Sequence, residues 1–351
     1  MIERLLARKD VCIVAGSGGV GKTTTSAAIA LGMAERGKRV AVLTIDPAKR
    51  LANSLGLPEL GNEERRVEVD VKGELWAMML DAKRTFDELV EWHAPDEQTR
   101  DAVLGNRIYR ELSNAVAGSQ EYMAMEKLHE LHKEGRYDLL VLDTPPTRSA
   151  LDFLDAPKRL STFIDSRSLQ LFMAPGRLGL KFLGRGTGVL FGAMQRLTGI
   201  DLLKDMSEFF QSFGDMAEGF RERAEHVNAL LADSRTGFVL VTSPRRDAVD
   251  EATFFHHRLL DSGLPFSGVV VNRMHPPVPA ATDLTASLGQ ELGQKVAASL
   301  ADQRTLAERD RVNLRGLQAR MGRKPMVKVP ELDGEVHDLD GLARMCVYLF
   351  G

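Results

Sequence analysis

Residues 16–23 read Gly-Ser-Gly-Gly-Val-Gly-Lys-Thr, which fits the spacing G-x-x-x-x-G-K-[ST]. The chemistry of such a run is phosphate binding. Its glycines let successive backbone N–H groups turn inward around an anion. A helix that begins at Lys22 adds the partial positive charge of its N-terminus. In this arrangement Gly18, Gly19, Val20 and Gly21 form the cradle, and Lys22 reaches the β- and γ-phosphates. Thr23 offers its hydroxyl to Mg²⁺, and Thr24 after it is also expected to bind the nucleotide. A glycine-rich strand-to-helix turn without a ligand is the bland alternative. The flanks argue against it, because the run lies between a short apolar segment, Val11 to Ala15, and a helical pattern from Lys22 to about Arg36.

Two acidic residues end other apolar runs. Asp46 follows RVAVLTI (39–45), and Asp143 closes YDLLVLD (137–143). Ligands of open α/β sheets bind at the carboxyl ends of the strands. A strand-end Asp there can order the Mg²⁺ shell while another group orients the attacking water. Each Asp taken alone also reads as a helix N-cap. Asn272 ends GVVVNR (268–273). Guanine readers carry N-[KQ]-x-D, but the fourth position here is His275. An Asn amide, both donor and acceptor, suits adenine, and a polar turn is the competing reading. The expected cofactors are ATP and Mg²⁺.

The elements that must position these residues follow from apolar runs. Strands are expected at 11–15, 39–45, 74–80, 137–143, 237–243, 268–273 and 326–330, with helical patterns between most of them. Residues 58–72 read as a polar loop. Strands that are apolar throughout and spaced by helices imply an α/β fold, a mostly parallel sheet with helices on both faces. Residues 151–231 break the alternation: no strand is visible, and 9 of the 15 Phe lie there. The expected organisation is a P-loop core from 1–150 and 232–351, with a helical subdomain, 151–231, inserted in it.

Composition sets the class. The chain has 351 residues, 44% hydrophobic and 27% charged, which suits a soluble globular protein. A net charge of −3 gives no basic field for nucleic acid. Two cysteines, Cys12 and Cys346, support neither a disulfide framework nor a Cys-x-x-Cys zinc site. The apolar run at 11–15 is far shorter than a signal-peptide core, and no 18-residue apolar stretch occurs. The expected location is cytoplasmic, with a peripheral membrane association open.

Leu202, Met206, Phe209, Phe213, Met216 and Phe220 recur at alternating spacings of four and three, which makes one helical stripe. Burying six such side chains is worth roughly 9–18 kcal/mol, so they do not stay in water. The stripe reads as the core of the helical subdomain or as the lining for a hydrophobic client, for which Met and Phe are suited. Upstream, residues 158–204 hold eight basic and two acidic residues interleaved with apolar ones. That pattern reads as a solvated face, a membrane surface or a site for an amphipathic partner.

Taken together, GSGGVGKTTTSAAIA, LTIDPAKRLANSLG, AGSQE, VLDTPPT, VVVNR and VKVPELDGEVHDLDGL resemble the ArsA-like ATPases over essentially the whole chain. That family comprises arsenite-pump ATPases and ATPases that target tail-anchored membrane proteins. The resemblance implies a P-loop ATPase that works as a face-to-face dimer closing on ATP. It implies that Asp46 positions the attacking water, that Asp143 senses the γ-phosphate and helps order Mg²⁺ through water, that Asn272 reads adenine, and that Pro330 lies where a loop packs on the base. Three departures stand out. Ser17 replaces the Lys that family members extend to the partner's phosphates. The metalloid cysteines are absent, and so is the zinc-binding cysteine pair of the eukaryotic targeting ATPases. The leading expectation is a Mg²⁺-dependent ATPase whose dimer closure handles a hydrophobic or membrane-associated client. The alternative is a nucleotide-gated assembly factor with little turnover, paired with a paralogue that donates the missing Lys. An anion pump ranks third. Homodimer and heterodimer stay open, with no zinc and no nucleic acid.

Overall fold

Mostly apolar runs form the strands, apart from the exposed Arg-Arg pair of the short third one. They are Val11–Gly16 (β1), Arg39–Thr44 (β2), Arg65–Arg66 (β3), Glu74–Met79 (β4), Leu139–Asp143 (β5), Thr236–Thr242 (β6), Phe266–Met274 (β7) and Met326–Pro330 (β8). This computed structural model describes residues 1–46, 49–107, 109–110, 119–145, 155–156, 162, 209, 212, 214, 216–278, 288–322, 324–334 and 336–351. The eight strands make one sheet in the order β3-β4-β2-β5-β1-β6-β7-β8. Neighbours are parallel, except for the antiparallel pair β3–β4 at the edge. The expected α/β class and its mostly parallel sheet are therefore observed.

Alternation along each strand sends successive side chains to opposite faces. Cys12 and Val14 point one way on β1, and Ile13 and Ala15 the other, yet all four are buried. A sheet covered on both faces explains why its strands read as continuous apolar runs. Among the described residues the helices are Ile2–Leu6 (α1), Lys22–Glu35 (α2), Arg50–Ser54 (α3), Ala82–His93 (α4), Glu97–Gly105 (α5), Ser119–Glu134 (α6), Ala217–Ala232 (α7), Arg246–Asp261 (α8), Gln290–Met321 (α9) and Leu339–Phe350 (α10). Most of α2 is buried, and it packs against β2, β5 and α10. Among the described residues, no helix is long and apolar enough to cross a membrane. Cys12 on β1 and Cys346 on α10 are both buried, and burial pushes each thiol up to about 12.

The sequence reading assigns no helix to 290–321, where α9 runs for 32 residues. Its buried positions are few, and one is the charged Asp310, so no apolar stripe marks it. The loop expected at 58–72 contains β3, whose two residues are too short to show a period.

The chain divides into two compact units. One holds Met1–Met79, Leu131–Leu151 and Leu231–Gly351, and the other Leu80–Glu130 and Asp152–Leu230. Residues 80–130 thus group with the insertion, whereas the sequence reading keeps them with the sheet. The reason lies in their apolar faces. In the second unit the Phe86 ring stacks on Tyr109 at 5.5 Å and lies 5.7 Å from Phe220. Phe209, Met216 and Phe220 of the stripe are buried. Met206 and Phe213 lie outside the described residues, as does the basic stretch 158–204 apart from Thr162.

Candidate functional site

The phosphate-loop sequence leaves β1 at Gly16 and enters α2 at Lys22. A Cβ on Gly16 would lie 2.0 Å from the Val241 carbonyl oxygen of β6, so only glycine lets the loop start there. Gly21 is the N-cap of α2 with φ 90°, a left-handed conformation that favours glycine. A Cβ there would sit 2.4 Å from Asn272 Nδ2. No side chain caps α2, which leaves its first-turn amides for a ligand. Gly21, Lys22, Thr23 and Thr24 line a cavity of about 660 Å³ with Asp46, Asn272 and Pro330. Gly18 and Val20 line a second cavity of about 500 Å³, and Gly19 lines both.

Lys22 is buried, and its Nζ donates to the Ser17 carbonyl at 3.0 Å. Burial pulls its pKa down, while Asp143 and Asp46 act in the opposite direction. Asp143 is 1% exposed and accepts from three hydroxyls: Thr23 Oγ1 at 2.7 Å, Thr44 Oγ1 at 3.0 Å and Ser26 Oγ at 3.4 Å. Burial raises its carboxyl to about 6, against the opposing pull of Thr23, Thr44 and Lys22. The Thr44 hydroxyl also accepts the Asp46 N–H at 3.2 Å. One side chain therefore joins the ends of β2 and β5, linking the Asp143 carboxylate to the Asp46 backbone. Asp46 pairs with Arg50 at 3.8 Å.

Sequence reasoning missed Ser26 and Thr44. Ser26 lies one helical turn beyond Lys22, on the same face, and Thr44 lies two residues before Asp46, so spacing alone holds the signal. Asn53 also lines the larger cavity, one turn after Arg50 on α3.

Asn272 has a second task besides the one expected of it. Its amide donates to the Val20 carbonyl at 2.9 Å, and its Oδ1 accepts the Arg273 N–H at 2.9 Å. One amide hydrogen and one lone pair remain for a base. His275 turns toward α9: its N–H donates to Asp310 Oδ2 at 3.0 Å, and its Nδ1 lies 2.7 Å from the same oxygen. It lines the smaller cavity together with Ser17.

The donor set fits Mg²⁺. Thr23 and Asp143 offer hard oxygen ligands, and no group of three His, Cys, Asp or Glu among the described residues could hold a metal ion. Mg²⁺ keeps several waters and binds through one or two carboxylates plus substrate phosphates, which matches so sparse a set.

Comparison with known proteins gives one answer. The family model for anion-transporting ATPases matches residues 9–298. An Aquifex aeolicus protein named as a candidate arsenical pump-driving ATPase is 25% identical, over 97% of this chain and 78% of its own. ATPase GET3 of Malassezia globosa is 26% identical over 99% of this chain and 93% of its own. ATPase ASNA1 homolog 1 of Paramecium tetraurelia is 27% identical over 74% of each chain. The family match covers most of the chain, so the chain belongs to the anion-transporting ATPase family and is an ATPase.

Proposed function

We propose that this ATPase binds Mg²⁺-ATP in the larger cavity and uses the nucleotide state to take up and release a hydrophobic or membrane-associated protein client. The observation that carries the hydrolytic half is the chain Thr23–Asp143–Thr44–Asp46, which runs from the phosphate loop through the Asp143 carboxylate to the Asp46 backbone N–H. Lys22 and the open amides of α2 hold the β- and γ-phosphates. Thr23 and Asp143, the latter through water, hold Mg²⁺, which when bound neutralises charge on the phosphate oxygens. Asp46 orients the attacking water. Asn272 reads adenine with the amide hydrogen and lone pair it has left. Pro330 lines the same cavity and packs on the base.

The client half rests on the resemblance to tail-anchored-protein-targeting ATPases and on the Met/Phe stripe. Closure of a dimer on ATP couples the two halves. Binding of ATP and its steady-state turnover, with and without Mg²⁺ and a hydrophobic helical peptide, test the reading. Mg²⁺-independent turnover, or a peptide that neither binds nor changes turnover, refutes it.

Ser17 favours a second reading, a heterodimer with a paralogue and slow turnover alone, because an uncharged residue stands at the wall of the smaller cavity. An anion pump is disfavoured, since Cys12 and Cys346 are buried and protonated and so poor metalloid ligands.

A further inference from the structure

Arg273 is the one non-glycine residue with positive φ (56°) among the described residues. A left-handed backbone disfavours a long L side chain. The Asn272 Oδ1 that accepts the Arg273 N–H holds this conformation in place. Strain of this kind gathers where a side chain must be aimed. The Arg273 side chain is exposed, and among the described residues no carboxylate pairs with it. Its neighbours differ: Arg50 pairs with Asp46, Arg245 with Asp247 and Arg309 with Asp310. Arg273 lies in the wall of both cavities, as does Gly19 of the phosphate loop.

Sheet order decides what its guanidinium can reach. β7 stands two strand spacings from β1, which feeds the phosphate loop, and four from β2, which presents Asp46. At about 4.8 Å each, these are about 10 Å and about 19 Å. An arginine on β7 can lie over Gly19 and a nucleotide there, but it cannot reach the water-positioning end. We infer that Arg273 is a nucleotide-binding residue that holds ATP and ADP from the side away from Asp46 and acts on affinity, not on turnover. The inference rests on the larger cavity being the ATP site.

The test is affinity for ATP and ADP by calorimetry, with steady-state kinetics, for Arg273→Ala, Arg273→Lys and Arg273→Gly. Arg273→Gly removes the guanidinium while suiting the backbone, so it separates ligand loss from misfolding. Both Arg273→Ala and Arg273→Gly should weaken ATP and ADP alike by about ten- to a hundredfold, the scale of one charged hydrogen bond. Turnover at saturating ATP should change by less than about twofold, and Arg273→Lys should recover part of the affinity. Unchanged affinity in Arg273→Gly, or a fall in kcat at unchanged affinity, overturns the inference. A wild-type protein that binds no ATP instead overturns the reading of the cavity itself.

Discussion

The Asn272 amide donates to the Val20 carbonyl at 2.9 Å, so the end of β7 is fastened to the phosphate loop across the intervening strand β6. The fit has no slack, since a Cβ on Gly21 would fall 2.4 Å from that same amide. Asn272→Ala leaves the Val20 carbonyl without its partner and should destabilise the protein by about 1–3 kcal/mol. Gly21→Ala adds both the clash and a left-handed alanine, and should cost at least as much and abolish ATP binding. Denaturant unfolding and nucleotide titration check both. An Asn272→Ala protein as stable as wild type would show that the fastening is incidental.

Asp46→Asn should bind ATP about as tightly as wild type and lose turnover. The substitution keeps the side chain's size and spares the phosphate loop, but it removes the carboxylate proposed to orient water. Single-turnover hydrolysis together with ATP binding measures this. Hydrolysis at the wild-type rate would reassign the role of Asp46.

Asp143→Asn should separate stability from activity. The folded carboxyl is raised to about 6 from an ordinary 3.8. Its ionised form is thus a burden on the fold: absent below the unfolded value and complete once pH rises past the folded one. In Mg²⁺-free, nucleotide-free buffer at neutral pH, the Asn variant should be more stable by about 1–3 kcal/mol. That advantage should fade as pH falls from about 6 to 4, and ATPase activity should be lost throughout. Denaturant midpoints across this range provide the check. An Asn variant less stable than wild type at pH 7 contradicts the account.

Phe220 is fully buried between Phe86 and the His93 ring, so Phe220→Ala should cost about 3–5 kcal/mol. Phe209, 4% exposed, should behave similarly. These two read as core. Phe213→Ser and Met206→Ser are the sharper probes of a client surface. Stable variants that lose binding of a hydrophobic peptide would support that role, and stable variants that bind unchanged would remove it.

Ser17→Lys should raise the turnover of the purified protein if position 17 lacks a charge that the reaction uses. An external cation on a transferring phosphoryl group is worth about 10³–10⁵ in rate in the arginine-finger case. An added paralogue with an intact Gly-Lys-Gly-Gly loop should act in the same direction. Brisk wild-type turnover that neither change alters would count against the heterodimer reading.

The phosphate loop, the strand-end acids and most of the sheet are legible because each leaves a local mark: glycines at fixed offsets, or an apolar run ending in Asp. What escapes is what depends on register between distant strands. Thr44 lies beside Asp143 because β2 and β5 pair Thr44 with that residue, and no single segment contains that fact. Asp310 meets His275 across 35 positions, from a helix with no apolar stripe to announce it. The grouping of 80–130 with the insertion was hidden for the same reason, because the contact of Phe86 with Phe220 joins segments far apart in the chain.

The two sealed sulfurs have a practical consequence. With both thiols buried and pushed up to about 12, neither presents a thiolate to solvent at neutral pH. A cysteine introduced on an exposed helix position would be the one group a maleimide dye modifies rapidly, with no need to strip the native pair. A fluorophore placed this way would test optically whether nucleotide changes its surroundings, in the native-cysteine protein.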